Sequence, residues 1–406
     1  MAKFVSEIKV RNHIPNDLAF SILSKLPLKS FKPFECVRKS WALLFENSCF
    51  RTNFISIPHS DCTDISIFLY EVVAHDYSIR CSSYLLSGDR YENLVKLDFP
   101  DPIQEENFFF DFNTCYYCGC DPVTGTICLI QGYSLVLWNP TTNEYKAIPP
   151  SSLESVPLYR ELASNDIHGF GYDYILDDFK IIRYMKFTTI SDQQLERLDM
   201  RHKIVPWNEI SYEPEWEIYS LRCNSWSKLD IDMPNHCESG SYEALNIDGM
   251  SHWWSESENR DKHFLVSFDL SNEMFVTTPI PIDIQTDIDT NFYLGLVQRR
   301  LVVLNRSVSS ISWYYSDTPI FHISILGELG GKESWTKLFV VGPLPYIKCF
   351  IGAGKNGDIF FQKKDDRPIS FNLGTQKAEE VVVNGANFYD IAIYKKSLLS
   401  VGGINK

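Results

Sequence analysis

Between residues 135 and 383 the chain repeats one short pattern five times, and no other feature narrows its possible folds as much. A strand-like run enters a polar turn, and an aromatic residue then opens the next strand. The copies read LVLWNPTTNEYKAIPP (135–150), EIYSLRCNSWSKLD (217–230), FLVSFDLSNEMFVTTPIP (264–281), FHISILGELGGKESWTKLFVVG (321–342) and PISFNLGTQKAEEVVV (368–383). The opening aromatic is Tyr145, Trp226, Phe275 and Trp335, with Ala378 in the fifth copy. Ahead of each copy lies a further strand or hairpin: GTICLI at 125–130, HGFGYDYILDDFKIIRYMKF at 168–187, MSHWW at 250–254, RRLVVLN at 299–305 and GDIFFQ at 357–362.

Alternating and β-branched runs bounded by turn clusters predict strands. Recurring units of four short antiparallel strands, with glycine and aromatics at corresponding places, are the pattern of propeller blades. An initial unit in 65–97 brings the number of blades to six. The last strand-like stretch, FYDIAIYKKSLLSV at 388–401, has no partners of its own. It is expected to return to the first blade, closing the ring and removing its free edges. A six-bladed, all-β propeller over 60–402 follows, with a seven-bladed ring or an open sandwich as alternatives. Aromatics at 14% and 20 Pro with 20 Gly suit strands and turns better than a helical bundle.

The first 54 residues have a different period. In IPNDLAFSILSKLPLKSFKPFECVRKSW (14–41), Leu18, Ile22, Leu23 and Leu26 recur at helical spacing. Pro15 fits the first turn of that helix and Pro27 ends it. A short second helix carries Leu28 and Phe31, and a third, from about 33 to 47, carries Phe34, Val37, Trp41 and Leu44. Three short amphipathic helices cannot bury all their apolar surface against one another, so some of it needs a partner.

This stretch resembles an F-box, the helical module by which a ubiquitin-ligase subunit hangs from a Skp-type adaptor. The matches are Ile14-Pro15, Asp17-Leu18, Ile22-Leu23, Leu26-Pro27, Lys29-Ser30 and Val37-Arg38-Lys39-Ser40-Trp41; the chain departs at Phe31, where Leu is usual, and at Pro33, which would shorten the second helix. The later units are similar to the kelch-like, F-box-associated domain of plant F-box proteins, including the S-locus group. Leu137-Trp138-Asn139-Pro140, Gly169-Phe170-Gly171-Tyr172-Asp173, Ser225-Trp226, Ser267-Phe268-Asp269-Leu270 and Ser334-Trp335-Thr336-Lys337-Leu338 carry that likeness. The resemblance implies an F-box over 10–54 that binds the adaptor, and through it a cullin complex, by Ile14, Pro15, Leu18, Ile22, Leu23, Leu26, Pro27, Val37 and Trp41. It also implies a non-catalytic substrate receptor, with no cofactor, whose ring captures a target protein. The alternative is a propeller enzyme or carbohydrate binder with an unrelated helical cap.

Charge agrees with a protein partner. Residues 1–54 hold nine basic and four acidic side chains, leaving 29 basic and 48 acidic, or −19, in the remainder of a chain of net charge −14. An acidic body argues against nucleic acid or an anionic membrane. No apolar run approaches a membrane span, no signal-peptide pattern occurs, and eleven scattered cysteines suit a reducing compartment, cytoplasmic or nuclear.

Other constellations are weaker. Cys115, Cys118, Cys120 and Cys128 lack the two separated pairs that zinc favours, so small apolar strand residues are the expectation. Gly352-Ala353-Gly354-Lys355-Asn356-Gly357 spells G-x-G-x-x-G, but a strand follows it where a dinucleotide site needs a helix. Asp177-Asp178 reads as a solvated turn.

Target recognition is expected on the face that holds the loops between second and third strands. The long ones are read at 188–215, with Trp207 and Tyr212, and at 306–319, with Trp313, Tyr314 and Tyr315. Variable loops and exposed aromatics are common anchors of recognition.

Overall fold

The computed structural model describes residues between 65 and 405, apart from 109–114, 190–210, 232–243, 257–262, 281–296, 382–387 and shorter stretches in other connections. These residues belong to the unit Asp61–Lys406, the second of two in the chain. The helices expected over 10–54 lie outside the described residues.

The chain enters through β1 (Ile65–His75), β2 (Ser78–Ser87) and β3 (Asn93–Leu97), with a short β4 (Glu106–Phe108) against β2. Five four-stranded units follow. The first two are β5 (Cys115–Asp121), β6 (Thr126–Gln131), β7 (Ser134–Asn139), β8 (Glu144–Ala147), and then β9 (Arg160–Asp173), β10 (Asp178–Thr189), β11 (Ser211–Ser220), β12 (Ser225–Lys228). Next come β13 (Leu245–Ile247), β14 (Met250–Glu256), β15 (His263–Asp269), β16 (Met274–Pro279), and β17 (Val297–Leu304), β18 (Ser307–Tyr314), β19 (Phe321–Leu326), β20 (Trp335–Val341). The last is β21 (Ile347–Ala353), β22 (Asp358–Lys363), β23 (Pro368–Asn372), β24 (Lys377–Glu380), before β25 (Phe388–Lys395) and β26 (Ile404–Asn405).

β25 pairs antiparallel with β1, from Ile65↔Lys395 to Glu71↔Phe388, and so completes the first unit. Among the described residues there are thus six four-stranded units. Their innermost strands, β25, β5, β9, β13, β17 and β21, each touch the next, and β21 touches β25 again. The ring is closed and propeller-like, by the strand expected to close it.

Two glycines make that closure sterically possible. A Cβ on Gly352 would collide with the carbonyl of Ile391, its parallel partner across the seam. A Cβ on Gly125, which sits at φ +63°, would collide with the carbonyl of Lys395. The returning strand is gripped between backbones too close for any side chain.

Burial follows distance from the axis. β6 is buried at every position, because blades pack on both its faces, whereas β24 is exposed at every position. Between the fifth and sixth blades, Trp313, Phe321, Phe350 and Phe361 share one apolar cluster; Phe68, Tyr70, Ile127 and Trp138 share another between the first and second. The repeated aromatic has a structural job. Tyr145 faces Trp138, Trp226 faces Tyr219, Phe275 faces Phe268, and Trp335 faces Leu326, each beside the last turn of its blade. Such cross-strand pairs stabilise a two-stranded edge by about 0.2–1 kcal/mol each. Ala378 opposite Phe371 keeps the place without the ring.

Two expectations are corrected. The stretch 306–319 is not a loop: Ser307–Tyr314 forms β18, paired with both β17 and β19. Its run of serines hides the strand period, and Ser309, Ser310 and Ser312 are all buried. The third-blade loop also shrinks, to 190–210, because β10 runs to Thr189 and β11 starts at Ser211.

Candidate docking face

Antiparallel order gives the ring two unlike faces. Turns from first to second and from third to fourth strands emerge on one; second-to-third loops and the links between blades emerge on the other.

The turn face is stitched together. Five of its hairpins share a polar residue that caps the turn and, four positions on, a residue at positive φ. Asn139 with Asn143 (57°), Asp173 with Asp177 (54°), Ser220 with Asn224 (50°), Asp269 with Glu273 (54°) and Asn372 with Gln376 (56°) all follow this rule. The turns also bond to neighbouring blades. The buried ammonium of Lys180 meets Asp173 at 3.2 Å and Glu273 at 3.1 Å, and donates to the Leu270 carbonyl at 2.6 Å. Asn139 Nδ2 donates to the carbonyls of Ser397 and Leu399 at 3.0 and 2.9 Å, holding the segment that carries β26 outward to β8. Such a face has little freedom to adapt to a partner.

The link face is different. Its best-described part lies across the fifth and sixth blades, where 316–320 meets the link 342–346 and the turn after β22. Leu344 N donates to Pro319 O at 3.1 Å, Lys364 N to Tyr346 O at 3.0 Å, and Lys364 Nζ to Asp317 O at 3.1 Å. These bonds hold up a group of exposed apolar side chains: Ile320 (41%), Tyr346 (45%), Pro343 and Pro345. An exposed aromatic among aliphatics on a fixed backbone is the make-up of an interface anchor. Sequence reasoning missed this group. The signal was the link Pro343-Leu344-Pro345-Tyr346, too apolar for an ordinary solvated connection.

The residues singled out earlier fare unevenly. Ile14, Pro15, Leu18, Ile22, Leu23, Leu26, Pro27, Val37 and Trp41 lie outside the described residues, as do Trp207 and Tyr315. Tyr212 and Tyr314 lie in β11 and β18 rather than in loops. Trp313 is buried, 5.6 Å from the Phe321 ring and 5.9 Å from Phe350, so it packs the blade and is not an exposed anchor. G-x-G-x-x-G joins antiparallel β21 and β22, as its hairpin reading required. Asp178 is not solvated. It is buried, and accepts from Ser220 Oγ at 2.5 Å and Arg222 N at 2.8 Å. Cys118 is buried against Cys128, and the bond to that neighbour, with burial, pushes its thiol well up, the opposite of a reactive cysteine.

Two interior groups were not foreseen. Arg183 and Glu217 form a buried pair at 2.7 Å; Ser151 Oγ donates to the same carboxylate at 2.5 Å, and the guanidinium lies 3.9 Å from the Trp226 ring centre. His168 is enclosed by Trp216, Trp253 and Tyr184, with ring centres 5.1, 5.7 and 5.9 Å away. Burial lowers its pKa to about 3.

The model of the F-box associated beta propeller domain matches residues 76–401. The chain belongs to that family. A provisionally named F-box protein of Arabidopsis thaliana is 23% identical over 339 residues, 80% of each chain. The F-box/WD-40 repeat-containing protein 1 of the same plant is 23% identical over 345 residues, 83% of this chain and 71% of its own. Among solved structures, a six-bladed fungal fucose lectin from Aleuria aurantia aligns over 82% of this chain and 96% of its own, at 10% identity and a TM-score of 0.36. The resemblance to plant F-box proteins with an F-box-associated domain therefore holds.

Proposed function

We propose that this chain is the substrate receptor of a Skp–cullin–F-box ubiquitin ligase. Residues 10–54 form the adaptor-binding module, and residues 60–402 the ring that captures a target protein. The observation that carries the reading is the F-box-associated family match over 76–401, preceded in the same chain by the ordered motif from Ile14 to Trp41. The chain makes and breaks no bonds. It raises the local concentration of target lysines beside a ubiquitin-charged enzyme.

The adaptor contact rests on Ile14, Pro15, Leu18, Ile22, Leu23, Leu26 and Pro27, while Val37 and Trp41 pack the module. Ile14→Ala with Pro15→Ala is expected to abolish copurification with a Skp-type adaptor and leave the ring's melting unchanged. Undiminished adaptor affinity in that variant overturns the assignment.

The target docks on the link face, through 190–210 with Trp207 and through the platform of Ile320 and Tyr346. Replacing 190–210 by a short Gly-Ser turn, together with Tyr346→Ala, is expected to spare folding and adaptor binding but stop target turnover. Normal turnover by that variant moves the docking site elsewhere.

A further inference from the structure

A groove opens on the rim between the sixth blade and the first, away from the docking face described above. Its volume is about 240 Å³, and its walls include Tyr91, Asp358, Ser370, Asn372, Glu379 and Val381. β23 and β24 supply one wall, and Tyr91, held at φ 56° in the turn before β3, closes the other. Asp358 sits at its head in a set orientation. Tyr91 Oη donates to one carboxylate oxygen and Asn372 Nδ2 to the other, both at 2.7 Å. Both donors are neutral. An ionised carboxylate has about four acceptor positions, so capacity remains on each oxygen. Burial, followed by Asp358 itself, pushes the Tyr91 hydroxyl well above the usual phenol range, so it stays a donor.

The charges in the groove do not cancel. Glu380 is engaged by Lys363 at 3.1 Å and by Arg367 at 3.4 Å. Asp358 and Glu379 form no ion pair among the described residues, and neither does Lys377, the one cation on the wall. Two carboxylates therefore face one ammonium, on a body whose residues beyond 54 carry −19.

We propose that this groove receives an arginine side chain from a partner protein. The guanidinium pairs with Asp358, whose carboxylate orientation is fixed by Tyr91 and Asn372, and Glu379 adds charge at the mouth. The stem lies along Val381 and the Tyr91 ring. A planar fork that bonds both oxygens at once matches this site better than a point charge does, which selects arginine over lysine.

The test titrates full-length protein with three small probes, N-acetyl-arginine methylamide and its lysine and citrulline counterparts, by saturation-transfer NMR. Citrulline has nearly the shape of arginine without the charge. The arginine probe is expected to bind at least tenfold more tightly than citrulline and several-fold more tightly than lysine, and to weaken as salt is raised. Asp358→Asn should remove binding at least tenfold, with a thermal melt to confirm folding. If that variant unfolds, Glu379→Lys on the exposed rim decides, with a several-fold loss expected. Equal binding of citrulline or lysine, or an unchanged affinity in Glu379→Lys, overturns the proposal.

Discussion

Lowering the pH from 7.5 to 5.0 should weaken the ring through two buried histidines, and His168 gives the cleanest measurement. Burial lowers its pKa from 6.5 to about 3, and that of His252 to about 4. Both remain neutral in the fold throughout this window, whereas in the unfolded chain each takes up a proton below pH 6.5. The unfolded state then binds more protons, so stability falls as pH falls. Above the unfolded pKa nothing is lost; at pH 5.0 each histidine costs about 2 kcal/mol relative to pH 7.5, or roughly 4 kcal/mol for the pair. Asp173 and Asp269 have pKa values lowered from 3.8, so what they contribute is lost only at more acid pH, outside the window. His168→Phe should remove about half of the two-histidine loss between pH 7.5 and 5.0. It should also raise stability at pH 7.5 by about 1 kcal/mol or more, because neither ring nitrogen has a hydrogen-bond partner among the described residues. His252→Gln should flatten the profile equally but lower stability at pH 7.5, since His252 Nδ1 shares a 2.8 Å hydrogen bond with Ser267 Oγ. Urea unfolding at a series of pH values measures both effects. A His168→Phe protein with the wild-type pH slope would refute the reasoning.

Two further outcomes follow from the packing. Ending the chain at residue 385 removes β25, exposing β1 on one side of the seam and β21 on the other. Size-exclusion chromatography and calorimetry should find aggregation or a loss of cooperative unfolding, and a soluble, cooperative truncated protein would show that the ring does not need its closing strand. Arg183→Ala leaves Glu217 buried without its cation and should cost about 3–5 kcal/mol in denaturant unfolding, while Arg183→Met with Glu217→Leu should recover most of it. A loss below about 1 kcal/mol in the single variant would mean that water already reaches the pair.

Much of this molecule was legible in one dimension. The strand–turn–aromatic period marked the blades because a fourth strand, half exposed, keeps alternating polarity and leaves its cross-strand ring visible in the sequence: Trp226 opposite Tyr219, Phe275 opposite Phe268. The lone strand-like stretch at 388–401, of which Phe388–Lys395 forms β25, announced closure, since an unpaired apolar strand must find an edge. β18 was not legible. In an inner strand both faces are covered by neighbouring blades, so small polar residues such as Ser309 and Ser310 can be buried, and local polarity ceases to separate strand from loop. Trp313 was misplaced for the same reason, and Asp178 because a turn aspartate reads alike whether it faces water or caps the next hairpin. Residues far apart in the chain meet only when the ring closes. Lys364 on Asp317 across 47 positions and Tyr91 on Asp358 across 267 are set by which blade lies against which. Strand period and turn chemistry act over a few residues and are written locally. The docking platform and the rim groove arise from contacts between blades, which only the folded ring brings together.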